Sequence, residues 1–186
     1  MSRRFMADVL ANSHNRAILD RWPALALPDG WLVAGCLFQT VWNLRCARAP
    51  EAGIKDYDIF YFDAADLTEA GERAVQARAD ALHADLGITV EVANQARVHL
   101  WYPDFFGEPY ATLKDSRDGI DRFLVACTCV GVRPDGEVYA PWGLDDLYAG
   151  RLRPNPLTPY RTLYERKVLS YRERWPWLSD ENPASA

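Results

Sequence analysis

The segment Asp56-Tyr57-Asp58-Ile59-Phe60-Tyr61-Phe62-Asp63 constrains the fold more than any other stretch of the chain. Its aromatic and β-branched residues suit a pleated strand. Alternate side chains of a strand share a face, so Asp56 and Asp58 point the same way with Cα atoms about 6.5–7 Å apart. Their carboxylates can converge. Taken alone, such a pair is more often the solvated start of a strand than a site.

The flanking sequence supplies partners for this strand. Apolar positions at Phe5, Val9, Leu10, Ile18 and Leu19 fit one helical face over two short segments, broken and capped at Asn12, Ser13 and Asn15. Pro28-Asp29-Gly30 is a turn, and Trp31-Leu32-Val33-Ala34 is a short buried strand ending at Gly35, from which a helix runs through Leu37, Val41 and Leu44. Thr68 caps a helix from about Glu69 to Leu86, closed by Gly87, and Ile88 to Val92 is the next strand. Further on, Asp115 or Ser116 opens a short helix, and Phe123 to Val132 reads as a strand. Arg133-Pro134-Asp135-Gly136 then turns the chain back into Glu137-Val138-Tyr139 as a hairpin. A charged amphipathic helix spans Tyr160 to Trp175.

With 186 residues the chain can bury one substantial core but is short for two. The expected fold is α+β (α/β), a mixed β-sheet flanked by helices in a single domain, 1–186. Within it, N-terminal helices occupy 1–28, a catalytic strand–helix core 30–100, and a hairpin and helix 115–178. The net charge of −5 and pI near 5.2 argue against a surface that holds extended nucleic acid and favour a small-molecule substrate. No stretch approaches the ~20 apolar residues of a membrane span, and Arg3 and Arg4 are followed by no apolar leader segment. A cytoplasmic, reduced protein is expected. Cys36, Cys46, Cys127 and Cys129 form no C-x-x-C pair, and Cys127 and Cys129, alternating on the expected strand, are assigned to core packing.

Two convergent carboxylates are costly to keep ionised, and a hard divalent cation such as Mg²⁺ is the usual compensation at a phosphoryl-transfer site. Such sites normally carry a third acid. Glu91 is the best candidate, because it interrupts the apolar strand Ile88-Thr89-Val90-Glu91-Val92, where an ionised group facing a core would be expensive. Asp63 has the opposite strand parity to Asp58, and Asp66 falls in the following loop. Upstream, backbone N–H groups at the Gly35-Cys36 turn can receive phosphate oxygens, with glycine allowing close approach.

Together, Gly35-Cys36, Asp56-Tyr57-Asp58 and Glu91 resemble the signature of the polymerase-beta-like nucleotidyltransferase superfamily. Longer stretches resemble a small bacterial nucleotidyltransferase-like family of uncharacterised substrate: Trp31 to Gly35, the 56–63 strand, Asn94 to His99, Val130 to Arg133, and Ala140 to Leu147. This resemblance covers nearly the whole chain. It implies Mg²⁺ or Mn²⁺ held by Asp56 and Asp58, with Glu91 as third ligand and base for an acceptor hydroxyl. Gly35 and Cys36 would face the triphosphate. Two departures stand out: Cys36 replaces a serine common in the superfamily, and the stretch from Gly35 to Asp56 is longer than usual.

Other polar residues have two readings. Asn94, Gln95, Arg97 and His99 either serve the site, with Arg97 on phosphate, or are structural. In the second case Asn94 and Gln95 cap a short helix and His99 packs with its nitrogens satisfied, which is the expectation for His99. Asp145 and Asp146 are read as capping a helical turn. The aromatic group Trp101, Tyr102, Phe105, Phe106 and Tyr110 is either a cleft lid or a covering loop. The expected activity is metal-dependent transfer of a nucleoside monophosphate from a nucleoside triphosphate to an unknown acceptor, with release of pyrophosphate. Its rivals are a non-catalytic nucleotide-binding or regulatory protein and a toxin–antitoxin type modifier of a macromolecule.

Overall fold

The computed structural model describes residues 1–182. The chain opens with α1 (Ser2–Ala11) and α2 (Ser13–Arg21), joined at Asn12. The Asn12 carboxamide oxygen accepts the backbone N–H of His14 at 3.0 Å, as an N-cap does, and its amide donates to Thr40 Oγ1 at 3.0 Å. Next come β1 (Trp31–Val33), α3 (Gly35–Arg45) and β2 (Asp56–Tyr61). α4 (Glu69–His83) is capped by Thr68, whose Oγ1 accepts from Gly71 N at 3.1 Å. It ends in a 3₁₀ turn, Ala84–Leu86, and the left-handed Gly87 releases the chain into β3 (Thr89–Asn94).

The remaining elements are α5 (Val98–Phe106), α6 (Ser116–Ile120), β4 (Gly131–Val132), β5 (Val138–Tyr139), α7 (Asp145–Ala149), β6 (Arg151–Leu152), α8 (Arg161–Arg174) and β7 (Ser179–Asp180). The main sheet has the order β3-β2-β1-β4-β5. Only β2 and β3 are parallel, with α4 as their crossover, so the sheet is mixed and the protein is a mixed α/β domain. β6 and β7 form a separate parallel pair.

The pleat of β2 divides the molecule. Tyr57, Ile59 and Tyr61 are buried in the main core with Leu32, Val90, Val92 and the inner face of α3, while Asp56, Asp58 and Phe60 face the other way. A smaller cluster of Trp31, Val33, Ile120 and Cys129 covers part of that second face. On the core side, α8 packs against α3 through rings. Trp42 lies 5.3 Å from Tyr171 and 5.2 Å from Trp175 between centroids, both edge to face, a favoured arrangement. Tyr164, Val168 and Tyr171 form the buried stripe of α8, at the spacing of one helical face.

The expected strand from Phe123 to Val132 does not form as one piece. Residues Ala126–Thr128 make a 3₁₀ turn, and only Gly131 and Val132 pair with β1. The 153–155 stretch is the physical reason: Asn155 N donates to Leu124 O and Ala126 N to Arg153 O, both at 3.0 Å, and the fully buried Asn155 amide donates to Phe123 O at 2.7 Å, so the first half of the segment is bonded away from β1. Cys127 and Cys129 therefore do not share a strand face. The first lies in the main core and the second in the smaller cluster. Asp145 and Asp146 lie in the first turn of α7 but do not cap it: Leu144 stands at the N-cap with no side-chain cap bond, and Asp146 pairs instead with Arg151 and Arg153. Among the described residues no helix is long and apolar enough to cross a membrane.

Asn43, fully buried in α3, ties the long connection before β2 in place. Its amide donates to the carbonyls of Pro50 at 3.1 Å and Ala52 at 2.9 Å, and its oxygen accepts from Trp175 Nε1 at 3.0 Å. Replacing it with alanine leaves buried groups unsatisfied, which costs about 1–3 kcal/mol. Urea unfolding of Asn43→Ala is expected to show a loss in that range. A loss under about 0.5 kcal/mol, the scale of a neutral surface change, would contradict this role.

Candidate active site

Parallel pairing of β2 with β3 sets Asp58 beside Glu91 and Asp56 beside Thr89. Registered neighbours in a sheet share a face, so Asp56, Asp58, Phe60, Glu91 and Ala93 all line one cleft, of about 510 Å³. The three acids named from the sequence are thus brought to the same wall. Glu91 is not in the core; it is exposed at the rim. Burial, followed by the charges of Asp56 and Glu91, pushes the Asp58 carboxyl up to about 7, and Lys167 across the cleft partly opposes this. Burial and then Asp56 also raise Glu91.

All donors on this wall are oxygens, which suits a hard divalent cation. Among the described residues, however, no three His, Cys, Asp or Glu side chains are grouped so that they could hold an ion. The arrangement fits the habit of Mg²⁺, which keeps water and binds one or two carboxylates together with substrate phosphate oxygens. Asp56 and Asp58 suffice for that.

The strand–glycine–helix unit reaches the same cleft. Ala34 joins β1 to α3 with φ 60 and ψ −135, a region that costs a non-glycine residue about 1–3 kcal/mol. That turn aims the start of α3 at the acids: Ala34 and Gly35 line the cleft, and α3 begins with no side-chain cap. Leu37 N already donates to Ala34 O at 3.1 Å, so of the first-turn N–H groups those of Gly35 and Cys36 are the ones that can receive an anion.

Two residues assigned to nucleotide are placed differently. The Cys36 side chain is fully buried beneath the sheet and donates to Val33 O at 3.2 Å, so it does not face the cleft. Burial, with Asp58 next in effect, holds that thiol well above its usual range. Arg97 lies outside the cleft lining. Its Nε donates to Leu67 O at 2.9 Å and its guanidinium pairs with Glu72 on α4, both in a nearly buried setting. A guanidinium so engaged holds a loop to a helix, outside the cleft that the acids line. Asn94 is structural too: its oxygen accepts from Ala96 N at 3.1 Å and Asp63 N at 3.0 Å, and its amide donates to Asp63 O and Asp66 O. Gln95 does reach the cleft. His99 departs from its expected satisfaction, since its buried Nδ1 has no hydrogen-bond partner among the described residues.

The aromatic group forms a wall rather than a loose cover. α5 turns Trp101, Tyr102 and Phe106 into the cleft, and Tyr110 stacks 4.3 Å from Tyr102 at 38°. The Arg122 guanidinium lies over Tyr110, 5.5 Å from its centroid. Sequence reading missed Arg122, Gln39 and Lys167, all on the cleft lining. Gln39 stands one helical turn after Gly35, a spacing that marks it as a neighbour of the glycine turn. Lys167 carries no local signal, because it is one cation among many on a charged helix.

The raised Asp58 has a sign that can be tested. A carboxyl with a folded pKa of about 7 against an ordinary 3.8 binds more protons folded than unfolded, so stability falls as pH rises from about 4 to about 7. Thermal melts without divalent ions should show the melting temperature falling over that window, with the slope reduced in Asp58→Asn. An equal slope in both proteins would contradict the assignment.

Comparison with known proteins agrees with this geometry. The nucleotidyltransferase family model matches residues 20–179. No curated protein matches the chain. Among solved structures, one described as "The NMR structure of the protein reveals a CCA-adding enzyme head domain" is similar over 97% of this chain and 95% of its own, with a TM-score of 0.76 and 26% identity. The chain belongs to the nucleotidyltransferase family.

Proposed function

We propose that the protein uses Mg²⁺ or Mn²⁺ to move a nucleoside monophosphate from a nucleoside triphosphate to an acceptor hydroxyl, releasing pyrophosphate. The observation that carries this reading is the Asp58–Glu91 register, with Asp56 on the same cleft wall, in a chain of this family. Asp56 and Asp58 would hold the ion. A bound divalent ion neutralises phosphate charge and polarises the phosphorus under attack.

The chain's own groups do the rest. The first turn of α3 orients the triphosphate, and the wall of Trp101, Tyr102 and Tyr110 accepts a flat ring. Glu91, at the rim beside Asp58, takes the proton of the acceptor hydroxyl. The acceptor oxygen bonds to the α-phosphorus as the bond to the bridging oxygen breaks, and pyrophosphate leaves with that electron pair. Lys167, across from Asp58, balances part of the charge that gathers there.

Incubation with Mg²⁺ or Mn²⁺, each α-labelled nucleoside triphosphate and cell extract tests the reading. Label is expected to pass to an acceptor, at a rate at least about a hundredfold lower in an Asp56→Ala/Asp58→Ala variant. Metal-dependent nucleotide binding without transfer would favour a regulatory protein instead. Label on a macromolecule would favour the modifier reading.

A further inference from the structure

One buried amide on the cleft wall has only its oxygen end engaged. Gln39, on α3 and 9% exposed, receives a bond on Oε1 from Arg174 Nη2 at 2.7 Å. A guanidinium can only donate, so the oxygen end of the amide must face Arg174 and the NH₂ end must face away from it. That NH₂ lies over Gly35, 2.6 Å from where a β-carbon would stand. Gly35 is therefore needed to admit a side chain as well as any ligand. Among the described residues Nε2 has no acceptor, although the residue lines the cleft at the uncapped start of α3.

Arg174 is itself fixed. Its Nη2 also donates to Gly53 O at 2.7 Å, and its guanidinium lies 4.1 Å from the centroid of Trp175. The amide direction is thus set by the C-terminal helix before any ligand arrives. Cys36 turns its thiol into the core, which leaves the first turn of α3 without a side-chain donor from this position toward the cleft. Gln39, one turn later, offers an N–H at the same place.

We propose that Gln39 is a phosphate-binding residue of this cleft, that its amide NH₂ and the first turn of α3 together grip the β- or γ-phosphate of the nucleoside triphosphate, and that Arg174 is its positioning residue. This rests on the nucleotide reading above. Binding of each ribonucleoside triphosphate and its monophosphate, with Mg²⁺, would be measured by calorimetry for the wild type, Gln39→Met, Gln39→Glu, Arg174→Met and Arg174→Lys, with circular dichroism melts to confirm folding.

The expected result is a loss of about tenfold in triphosphate affinity for both Gln39 variants, the scale of one hydrogen bond to a charged group. Monophosphate affinity should change by less than about twofold. Arg174→Lys, which keeps a donor for Oε1, should bind triphosphate more tightly than Arg174→Met. Gln39 variants that bind triphosphate as the wild type does, or that lose both nucleotides in parallel, would overturn the proposal and leave the nucleotide site standing. A wild type that binds no triphosphate would overturn the site reading and this proposal with it.

Discussion

A strand has two faces, and β2 uses them for opposed purposes. Tyr57, Ile59 and Tyr61 anchor it in the main core, which fixes the strand so firmly that Asp56 and Asp58 cannot turn away from one another or from Glu91. Shifting the β2–β3 register by one residue would carry Glu91 to the opposite face, and the apolar Val90 and Val92 into the cleft. Burial of those valines therefore enforces the position of the acid. Hydrophobic packing on one face holds like charges together on the other.

That arrangement has an electrostatic cost, visible in Asp58, whose carboxyl is pushed up to about 7 by burial and by its two acidic neighbours. The protein answers it only in part. Lys167 on α8 is the cation that lowers Asp58, and α3 presents its N-terminus from the end of β1. α8 is bound to α3 by the Trp42, Tyr171 and Trp175 rings and by the Asn43–Trp175 hydrogen bond. The helix that closes the domain thus also brings Lys167 to the cleft and Arg174 to Gln39 on the cleft wall.

The parts of this design that rest on local pattern were legible in the sequence. The aromatic alternation of β2, the Asn12 and Thr68 caps, the glycine turn at Gly35 and the acid within β3 each have a near-neighbour cause, and parity alone puts Asp56 and Asp58 on one face. What could not be read depends on distant partners. Arg97 looked equally suited to phosphate until Glu72, twenty-five positions away, claimed its guanidinium. The 123–132 segment reads as a strand, but Asn155 takes the carbonyls of Phe123, through its amide, and Leu124, through its backbone N–H, from another loop. Cys36 follows the glycine, yet the direction of α3 sends its thiol inward. Gln39 gains its role only through Arg174, 135 residues later.

The central claim is that Asp56 and Asp58, with Glu91 beside them, receive a divalent ion together with a nucleotide. Electron paramagnetic resonance of added Mn²⁺, with a nucleoside triphosphate present, measures this directly. The account predicts saturable Mn²⁺ binding that the nucleotide strengthens, at least about tenfold weaker in Asp58→Asn. Binding of equal strength in the wild type and the variant, or no protein-dependent binding at all, would contradict it.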